Sequence, residues 1–152
     1  MMFSRSSEYA IRAFLYLAGQ EPGKLVMARH IADEAGLPSH FLAKLLQQLA
    51  RKGLVKSNKG PSGGFTLGMT PREISLYDIV DAVDGIDGFN RCPIGHVKCN
   101  EHTGCPVHDG WKSVRSRIVD YLEHTSLADV SRRSTNGKKR KAHKARSNGS
   151  RN

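Results

Sequence analysis

Three cysteines and one histidine stand close together in the second half of the chain: Cys92, Cys99, Cys105 and His108. Six residues separate the first two cysteines, five separate the second pair, and the histidine comes three positions after Cys105. Three thiolates and an imidazole are a sufficient donor set for an iron–sulfur cluster or for a tetrahedral zinc ion. The spacing therefore predicts a metal site, with inert buried thiols and a thiol switch as the alternatives.

The cysteines also bear on the compartment in which the protein works. Where thiols are kept reduced, an odd and clustered set favours metal binding or redox chemistry over structural disulfides. Glu8 and Arg12 interrupt the apolar run that a signal peptide needs, and no stretch approaches the roughly 18 apolar residues of a spanning helix. We therefore expect a cytoplasmic protein with no membrane partner.

Apolar periodicity predicts three helices in the first third of the chain. Residues 9–18 are apolar on more than one side, which favours a helix deep in a core. Residues 27–35 fit a shorter helix, and a Gly-Leu-Pro break at 36–38 separates it from the third. Ser39 is placed to cap that third helix. Its apolar face, at helical spacing, consists of Leu42, Leu45, Leu46 and Leu49.

Two short strands around a glycine-rich loop are predicted next. Residues 54–57 and 65–68 have the composition of strands, and the segment NKGPSGG lies between them at 58–64. Three helices followed by a hairpin are the order of a winged helix-turn-helix. We therefore expect a mainly α protein with a small β-hairpin.

Two more helices are predicted after the hairpin. Ser75, with Asp78 three residues later, has the pattern of a capping box for a helix that ends at Gly85. A long helix then covers about 108–124. Its apolar stripe consists of Trp111, Val114, Ile118 and Leu122. The stripe either folds back on its own domain or pairs with its copy in a homodimer.

Charge is unevenly distributed along the chain. The 152 residues carry a net charge of +10, with 24 Lys and Arg against 14 Asp and Glu. Nine of the basic residues and no acid fall in 131–152, a tail that we expect to be disordered, which leaves 15 basic against 14 acidic residues before it. Within 24–60, seven basic and two acidic residues give a local charge of +5. Positive charge thus concentrates on the predicted helix-turn-helix and hairpin, as phosphate binding requires.

The third helix would be the one that enters a DNA groove. The second helix of a helix-turn-helix places polar side chains against base edges in the major groove. Lys44 has the donors for guanine, Gln47 or Gln48 those for adenine, and Ser39 at the helix start suits a phosphate. The alternative for each is an ordinary solvated face. The predicted contacts on this helix and the hairpin are Ser39, His40, Phe41, Ala43, Lys44, Gln47, Lys56 and Lys59.

Several segments together resemble one known family. They are SEYAIRAFLYLA, GLPSHFLAKLLQQLARKGLV, the wing GPSGGFTLG and ISLYDIVDAVDG, followed by the three-cysteine loop. In this order they are similar to the IscR/NsrR family of bacterial iron–sulfur winged-helix transcription regulators, over about residues 2–130. The joint occurrence of RKGLV, GPSGGF and the cysteine loop is much more specific than any one motif.

The resemblance implies a homodimer held by the long C-terminal helix, a recognition helix that starts near Pro38, and a wing at 59–64. Two residues of this wing, Ser62 and Gly63, are then expected at the DNA. Base contacts map around His40, Ala43 and Lys44. Where the IscR branch has an acidic residue this chain has Ala43, so a different operator preference is expected.

The resemblance also favours an iron–sulfur cluster over zinc, with Cys92, Cys99 and Cys105 as thiolate ligands. In IscR-like members a histidine just after the third cysteine completes a 2Fe–2S site, and that position is His108 here. In NsrR-like members a carboxylate near the N-terminus of the partner subunit completes a 4Fe–4S site, which maps to Glu8. The chain has both residues, and we favour the 2Fe–2S form.

These features predict a transcriptional regulator that binds double-stranded operator DNA under the control of a cluster sensing redox state, nitric oxide or iron–sulfur status. A winged-helix protein with a structural zinc or a thiol-switch loop is the alternative, and a small redox protein or cluster carrier has least support. The chain lacks C-x-x-C, a nucleotide fingerprint and a Ser-His-Asp pattern, so we expect no enzyme. The expected units are a DNA-binding domain at 1–84, a cluster loop at 85–107, a dimerisation helix at 108–130 and the basic tail at 131–152.

Overall fold

The computed structural model describes residues 3–87, 94 and 105–132 of the 152-residue chain. This part is mainly helical with one two-stranded antiparallel sheet. Its elements are α1 (Arg5–Ala18), α2 (Ala28–Ala35), α3 (Ser39–Arg51), β1 (Val55–Asn58), β2 (Gly64–Leu67), α4 (Leu76–Asp84) and α5 (His108–Glu123). The order confirms the predicted winged helix-turn-helix followed by a long C-terminal helix.

The first helix, α1, lies at the centre of the core. Ser4 caps it, because the Ser4 hydroxyl oxygen accepts the Ser7 N–H at 3.1 Å. The helix contacts α2, α3, α4 and β2, which confirms the prediction of a deeply packed helix. Its buried side chains are Ser7, Ala10, Ala13, Phe14 and Leu17.

The turn between α2 and α3 depends on Gly36. This residue has a φ of 65°, in the left-handed region that side chains disfavour. The N–H groups of Gly36 and Leu37 bond to the carbonyls of Asp33 and Ala32 at 3.3 and 2.7 Å, so the last carbonyls of α2 are satisfied. The chain then enters α3, whose four leucines at 42, 45, 46 and 49 are all buried, as their spacing predicts.

The predicted cap of α3 is wrong by one residue. Pro38 is the N-cap, Ser39 is already the first helical residue, and no side chain caps this end. The first helical hydrogen bond runs from the Leu42 N–H to the Pro38 carbonyl at 3.0 Å. Proline has no N–H to satisfy and its φ is close to the helical value, which allows the helix to begin there.

The hairpin is confirmed, shifted by one residue from the predicted strands. Gly53, at a φ of 78°, ends α3, and the Leu54 N–H still bonds to the Leu49 carbonyl at 3.2 Å, so Leu54 belongs to the helix end. Val55 pairs with Leu67 at the open end of the sheet. The chain before α2 adds a bridge to the sheet, in which Val26 and Phe65 exchange hydrogen bonds of 2.9 and 2.8 Å.

The predicted capping box of α4 is present. The Ser75 hydroxyl accepts the Asp78 N–H at 3.1 Å, and the Asp78 carboxylate accepts the Ser75 N–H at 2.8 Å. A second box of the same type follows α5, between Ser126 and Asp129, with corresponding distances of 3.2 and 3.1 Å. It begins a short helical segment over 127–132 that the sequence patterns do not predict.

Residues 125–132, which we call the return segment, pack back against the start of α4. The Leu76 N–H bonds to the Thr125 carbonyl at 2.9 Å, and the Leu127 N–H bonds to the Ile74 carbonyl at 2.8 Å. The Leu127 side chain is completely buried in the core that α1, α2 and α3 share. The end of the described chain is therefore part of the helix-turn-helix core rather than an appendage to it.

The apolar stripe of α5 divides between two surroundings. Leu122 is buried with Leu76 and Val80 of α4, so part of the stripe folds back on its own domain. Val114, in the N-terminal half of the stripe, is 48% exposed, and Tyr121, which lies beside the stripe, is 54% exposed. The fold-back interpretation is therefore confirmed only for the C-terminal half of the stripe, and pairing with a second copy stays a prediction for the rest.

Some predictions fall on parts of the chain that the structure does not describe. Cys92 and Cys99, most of the loop between α4 and α5, and the tail from residue 133 onward lie outside the described residues. Across residues 3–87 and 105–132, no helix has the length and apolar character needed to cross a membrane.

The return segment gives the first prediction. Replacing Leu127 by Ala should lower the free energy of unfolding of the full chain by about 2–5 kcal/mol, because the change leaves a cavity in a fully buried site. Chemical denaturation followed by circular dichroism measures this. Met27→Ala, at a residue that is 61% exposed and lies outside the core, is the control and should change stability by less than about 1 kcal/mol. Equal effects of both changes would show that the return segment does not belong to the core.

Candidate DNA-binding surface and metal-ligand region

The outward face of α3 carries most of the predicted DNA contacts. Successive helical residues turn by about 100°, so His40, Lys44 and Gln47 point away from the buried leucines. All three are exposed, as are Ser39 and Phe41, while Ala43 is half-buried. The structure thus brings the predicted residues of α3 onto one end and one side of the helix.

One basic residue of this surface was absent from the predicted set. Arg51 is exposed and lies seven residues after Lys44, on the same face. Together with Gln47 and Lys56 it lines an open groove of about 560 Å³ between α3 and β1. The i, i+7 spacing from Lys44 was a usable signal in the sequence, but Arg51 lies only two residues before Gly53, where the sequence predicts the end of the helix.

Gln48 does not belong to this face. Its side-chain amide donates to the Ala82 carbonyl, near the end of α4, at 3.3 Å. The alternative that Gln48 reads adenine therefore loses support relative to Gln47, which points outward. Gln48 instead connects the recognition helix to the last turn of α4.

The tip of the hairpin requires glycine at particular positions. Gly60 has a φ of 101°, and its carbonyl accepts the Gly63 N–H at 2.9 Å, which closes a tight turn. A Cβ at Gly63 would lie 2.2 Å from the Asn58 carbonyl oxygen, so no other residue fits without moving the backbone. The turn presents Lys59 and Ser62 to solvent, with Gly63 half-buried beneath them.

Two of the predicted metal ligands are described, and they share one turn of chain. The Cys105 carbonyl accepts the His108 N–H at 3.1 Å, at the point where α5 begins. Cys105 is half-buried with a free thiol, and His108 is 9% exposed. Within the described residues no three His, Cys, Asp or Glu side chains are grouped for a metal, and the other two cysteines lie outside those residues.

Glu8, the alternative fourth ligand, lies in the first turn of α1 and is exposed. A ligand contributed to a partner subunit would have to be accessible in the free chain, and Glu8 satisfies that condition. Its N–H bonds to the Ser4 carbonyl at 3.1 Å, so the residue belongs to a regular first turn.

The last turn of α4, at the root of the cysteine loop, is bound to the start of α1. The Asp84 carboxylate accepts the Ser4 N–H at 3.0 Å and also the Ser4 hydroxyl. Partial burial raises the pKa of Asp84, but the hydrogen bonds from the Ser4 hydroxyl and N–H outweigh it and leave that pKa below its ordinary value. One turn earlier, the Asp81 carboxylate accepts the Ile86 N–H at 2.9 Å. The loop therefore leaves a turn that is fixed on two sides.

A helix-turn-helix with a glycine-tipped hairpin, and with basic side chains on both, defines a winged-helix DNA-binding protein. The Rrf2 family, described as iron-dependent transcriptional regulators, matches residues 3–133. The chain belongs to this family and is a transcriptional regulator, which implies that it binds DNA.

Individual relatives support the same assignment. An HTH-type transcriptional regulator of Aquifex aeolicus is 35% identical over 132 residues, which are 86% of this chain and 91% of the relative. The HTH-type transcriptional regulator IscR of Vibrio cholerae is 32% identical over 130 residues, covering 86% of this chain and 75% of that protein. Among solved structures, CymR, the global cysteine regulator of B. subtilis, superimposes with a TM-score of 0.71 at 28% identity, over 85% of this chain and 95% of CymR. None of these relatives is named as an enzyme.

The exposed lysine at the tip of the hairpin gives the second prediction. Lys59→Ala should weaken DNA binding and reduce the slope of log K against log salt by about one, because one phosphate contact and its released counterion are lost. Arg72→Ala, an exposed basic change at the start of the α4 region, is the control and should leave the slope unchanged. Fluorescence anisotropy over a range of salt concentrations measures both, and an unchanged slope for Lys59→Ala would identify a merely solvated lysine.

Proposed function

We propose that this regulator is a homodimer whose operator binding is controlled by an iron–sulfur cluster held by Cys92, Cys99, Cys105 and His108. The observation that carries the proposal is the placement of Cys105 and His108 on the turn that begins α5, in a member of a family described as iron-dependent. The predicted DNA contacts on α3 and the wing are the part of the protein whose affinity for the operator the cluster would change.

The described donors fit such a group. A half-buried thiol and a buried imidazole one turn apart offer a soft and a nitrogen ligand, at a site shielded from bulk water. A cluster bound there would supply a centre whose redox state or integrity changes with the cell's chemistry. The chain itself places the two candidate ligands at the start of α5. A change in what these two residues bind would therefore act directly on the first turn of that helix.

The fourth ligand distinguishes two forms of the proposal. His108 in the same chain goes with a 2Fe–2S site, whereas Glu8 of a partner would go with 4Fe–4S. The position of His108 one turn after Cys105, with its N–H bonded to the Cys105 carbonyl at 3.1 Å, supports the first form, because a ligand from the same chain is then close to the third thiolate.

A second copy of the chain is the expected cover for the exposed part of α5. Val114, Ile118 and Tyr121 line an open groove of about 460 Å³ together with Phe3 of the N-terminus. Its lining is almost entirely apolar, and Arg117 is its charged residue. Apolar area of this kind on a long helix is typical of a symmetric helix–helix interface.

The contacts at the last turn of α4 provide a route from the loop to the DNA-binding surface. This turn holds the Gln48 side chain through the Ala82 carbonyl and the Ser4 backbone through Asp84. A ligand in the loop that follows Asp84 shifts the turn only if it binds the two arrangements of the chain with different affinity. In that case the hydrogen bond from Gln48 to the Ala82 carbonyl carries the shift to α3.

Anaerobic purification of the full chain tests the central claim, which is our third prediction. A brown protein with iron and sulfide, whose operator affinity differs between the loaded and the cluster-free form, is the expected result. A colourless protein with stoichiometric zinc would establish the structural-metal alternative, and reversible loss of DNA binding on thiol oxidation of a metal-free protein would establish the thiol switch.

Substitutions within the same experiment assign the ligands. Cys99→Ala should abolish iron binding, and stoichiometric iron in this variant would remove the loop as the site. His108→Ala and Glu8→Ala are then compared by absorption and electron paramagnetic resonance spectra. The substitution that leaves the spectra and the lifetime of the cluster in air unchanged is not at a ligand.

The Gln48 contact gives the fourth prediction. Gln48→Ala should reduce the ratio of operator affinities between loaded and cluster-free protein by about threefold or more, because it removes a connection between the loop root and the recognition helix. Gln47→Ala, one residue away but on the outward face, is the matched control: it should weaken both forms equally and preserve the ratio. If both variants preserve the ratio, the coupling does not pass through Gln48.

A further inference from the structure

Phe41 is an apolar side chain at the DNA-facing end of α3. It is the third residue of the helix and 41% exposed, whereas the next residue, Leu42, is completely buried. Its exposed neighbours Ser39 and His40 are polar, so the ring is not part of an extended apolar patch on this helix. An aromatic ring left exposed at the start of a recognition helix has neither a donor nor an acceptor to offer to base edges.

The ring of Phe41 has an aromatic neighbour. Tyr9 of α1 meets it edge to face, with ring centroids 5.7 Å apart and the planes at 78°. Such aromatic pairs are favourable beyond the area that they bury. One side of the Phe41 ring is thus in contact with α1 while the residue stays 41% exposed. This contact restricts the side chain before a partner covers it, so less side-chain entropy is lost on binding.

The major groove contains one apolar group that a ring of this kind can contact. Each thymine projects its C5-methyl group into that groove, and apolar side chains recognise it there. The first residues of a recognition helix are those that approach base edges. Ala43 is the other apolar candidate on this helix, but it is half-buried. We propose that Phe41 selects a thymine in each operator half-site by covering its 5-methyl group, an inference that rests on α3 entering the major groove.

The proposal predicts a specific chemical dependence of binding, which is our fifth prediction. With an operator obtained by in vitro selection on the full-length protein, each thymine is replaced singly by deoxyuridine, which removes only the methyl group. At one position per half-site the wild-type protein should bind the deoxyuridine operator about fourfold more weakly than the thymine operator. This factor corresponds to about 0.8 kcal/mol for the burial of one methyl group. Phe41→Ala should bind thymine and deoxyuridine equally at that position.

Two control variants show whether a lost methyl preference comes from the Phe41 ring itself, from a folding defect or from a general loss of operator binding. Phe41→Leu keeps an apolar side chain and should retain part of the methyl preference. Met69→Ala, a change at another exposed apolar residue, should retain all of it. Wild type that shows no deoxyuridine effect, or Phe41→Ala that keeps the effect in full, overturns the inference while operator binding itself stands. A third outcome is that Lys44→Ala and Gln47→Ala lose all sequence preference while the wild-type protein shows no deoxyuridine effect. In that case α3 recognises the operator through residues other than Phe41, and the proposed role of Phe41 is overturned.

Discussion

Burial of the leucine face of α3 is the interaction on which the rest of the structure depends. Leu42, Leu46 and Leu49 are fully buried in the core formed with α1 and α2, and Leu45 is nearly so. Because these four side chains determine the rotation of the helix, they also determine which residues face outward. The outward orientation of Lys44 and Gln47 is therefore a consequence of core packing, and the wing follows directly because Gly53 ends the same helix.

Much of this fold could be predicted because its signals are local. Leucine spacing, the Ser75–Asp78 box and the glycines at 36, 53 and 85 each specify a helix face or end through backbone chemistry that acts within a few residues. Those elements were found within about one residue. The small errors have the same origin. Pro38 rather than Ser39 is the cap of α3, and the Leu54 N–H bonds to the Leu49 carbonyl, so β1 begins at Val55. Both boundaries are decided by hydrogen bonds that composition alone does not reveal.

The non-local features could not be predicted in this way. The return segment has too few apolar residues to show a period, and Leu127 is identified as core only by its contacts with distant parts of the chain. Gln48 is indistinguishable from Gln47 by residue type and both residues are exposed, yet the Gln48 amide donates to the Ala82 carbonyl. At the candidate metal site the sequence supplied the donor set and the structure places Cys105 beside His108. The remaining cysteines lie outside the described residues, so the complete ligand set stays a proposal.

The pairing of residues 74–76 with 125–127 has a consequence for chain entropy. It closes a loop of chain that contains α4, the cysteine loop and α5, and α5 also packs on α4 within this closed loop. Closing a loop of chain costs conformational entropy, and the folded protein has already lost that entropy through the contacts between 74–76 and 125–127. A ligand bound in the cysteine loop does not have to provide this free energy. By binding the closed form, it stabilises that form. Binding in the loop and cohesion of the C-terminal half should therefore reinforce each other.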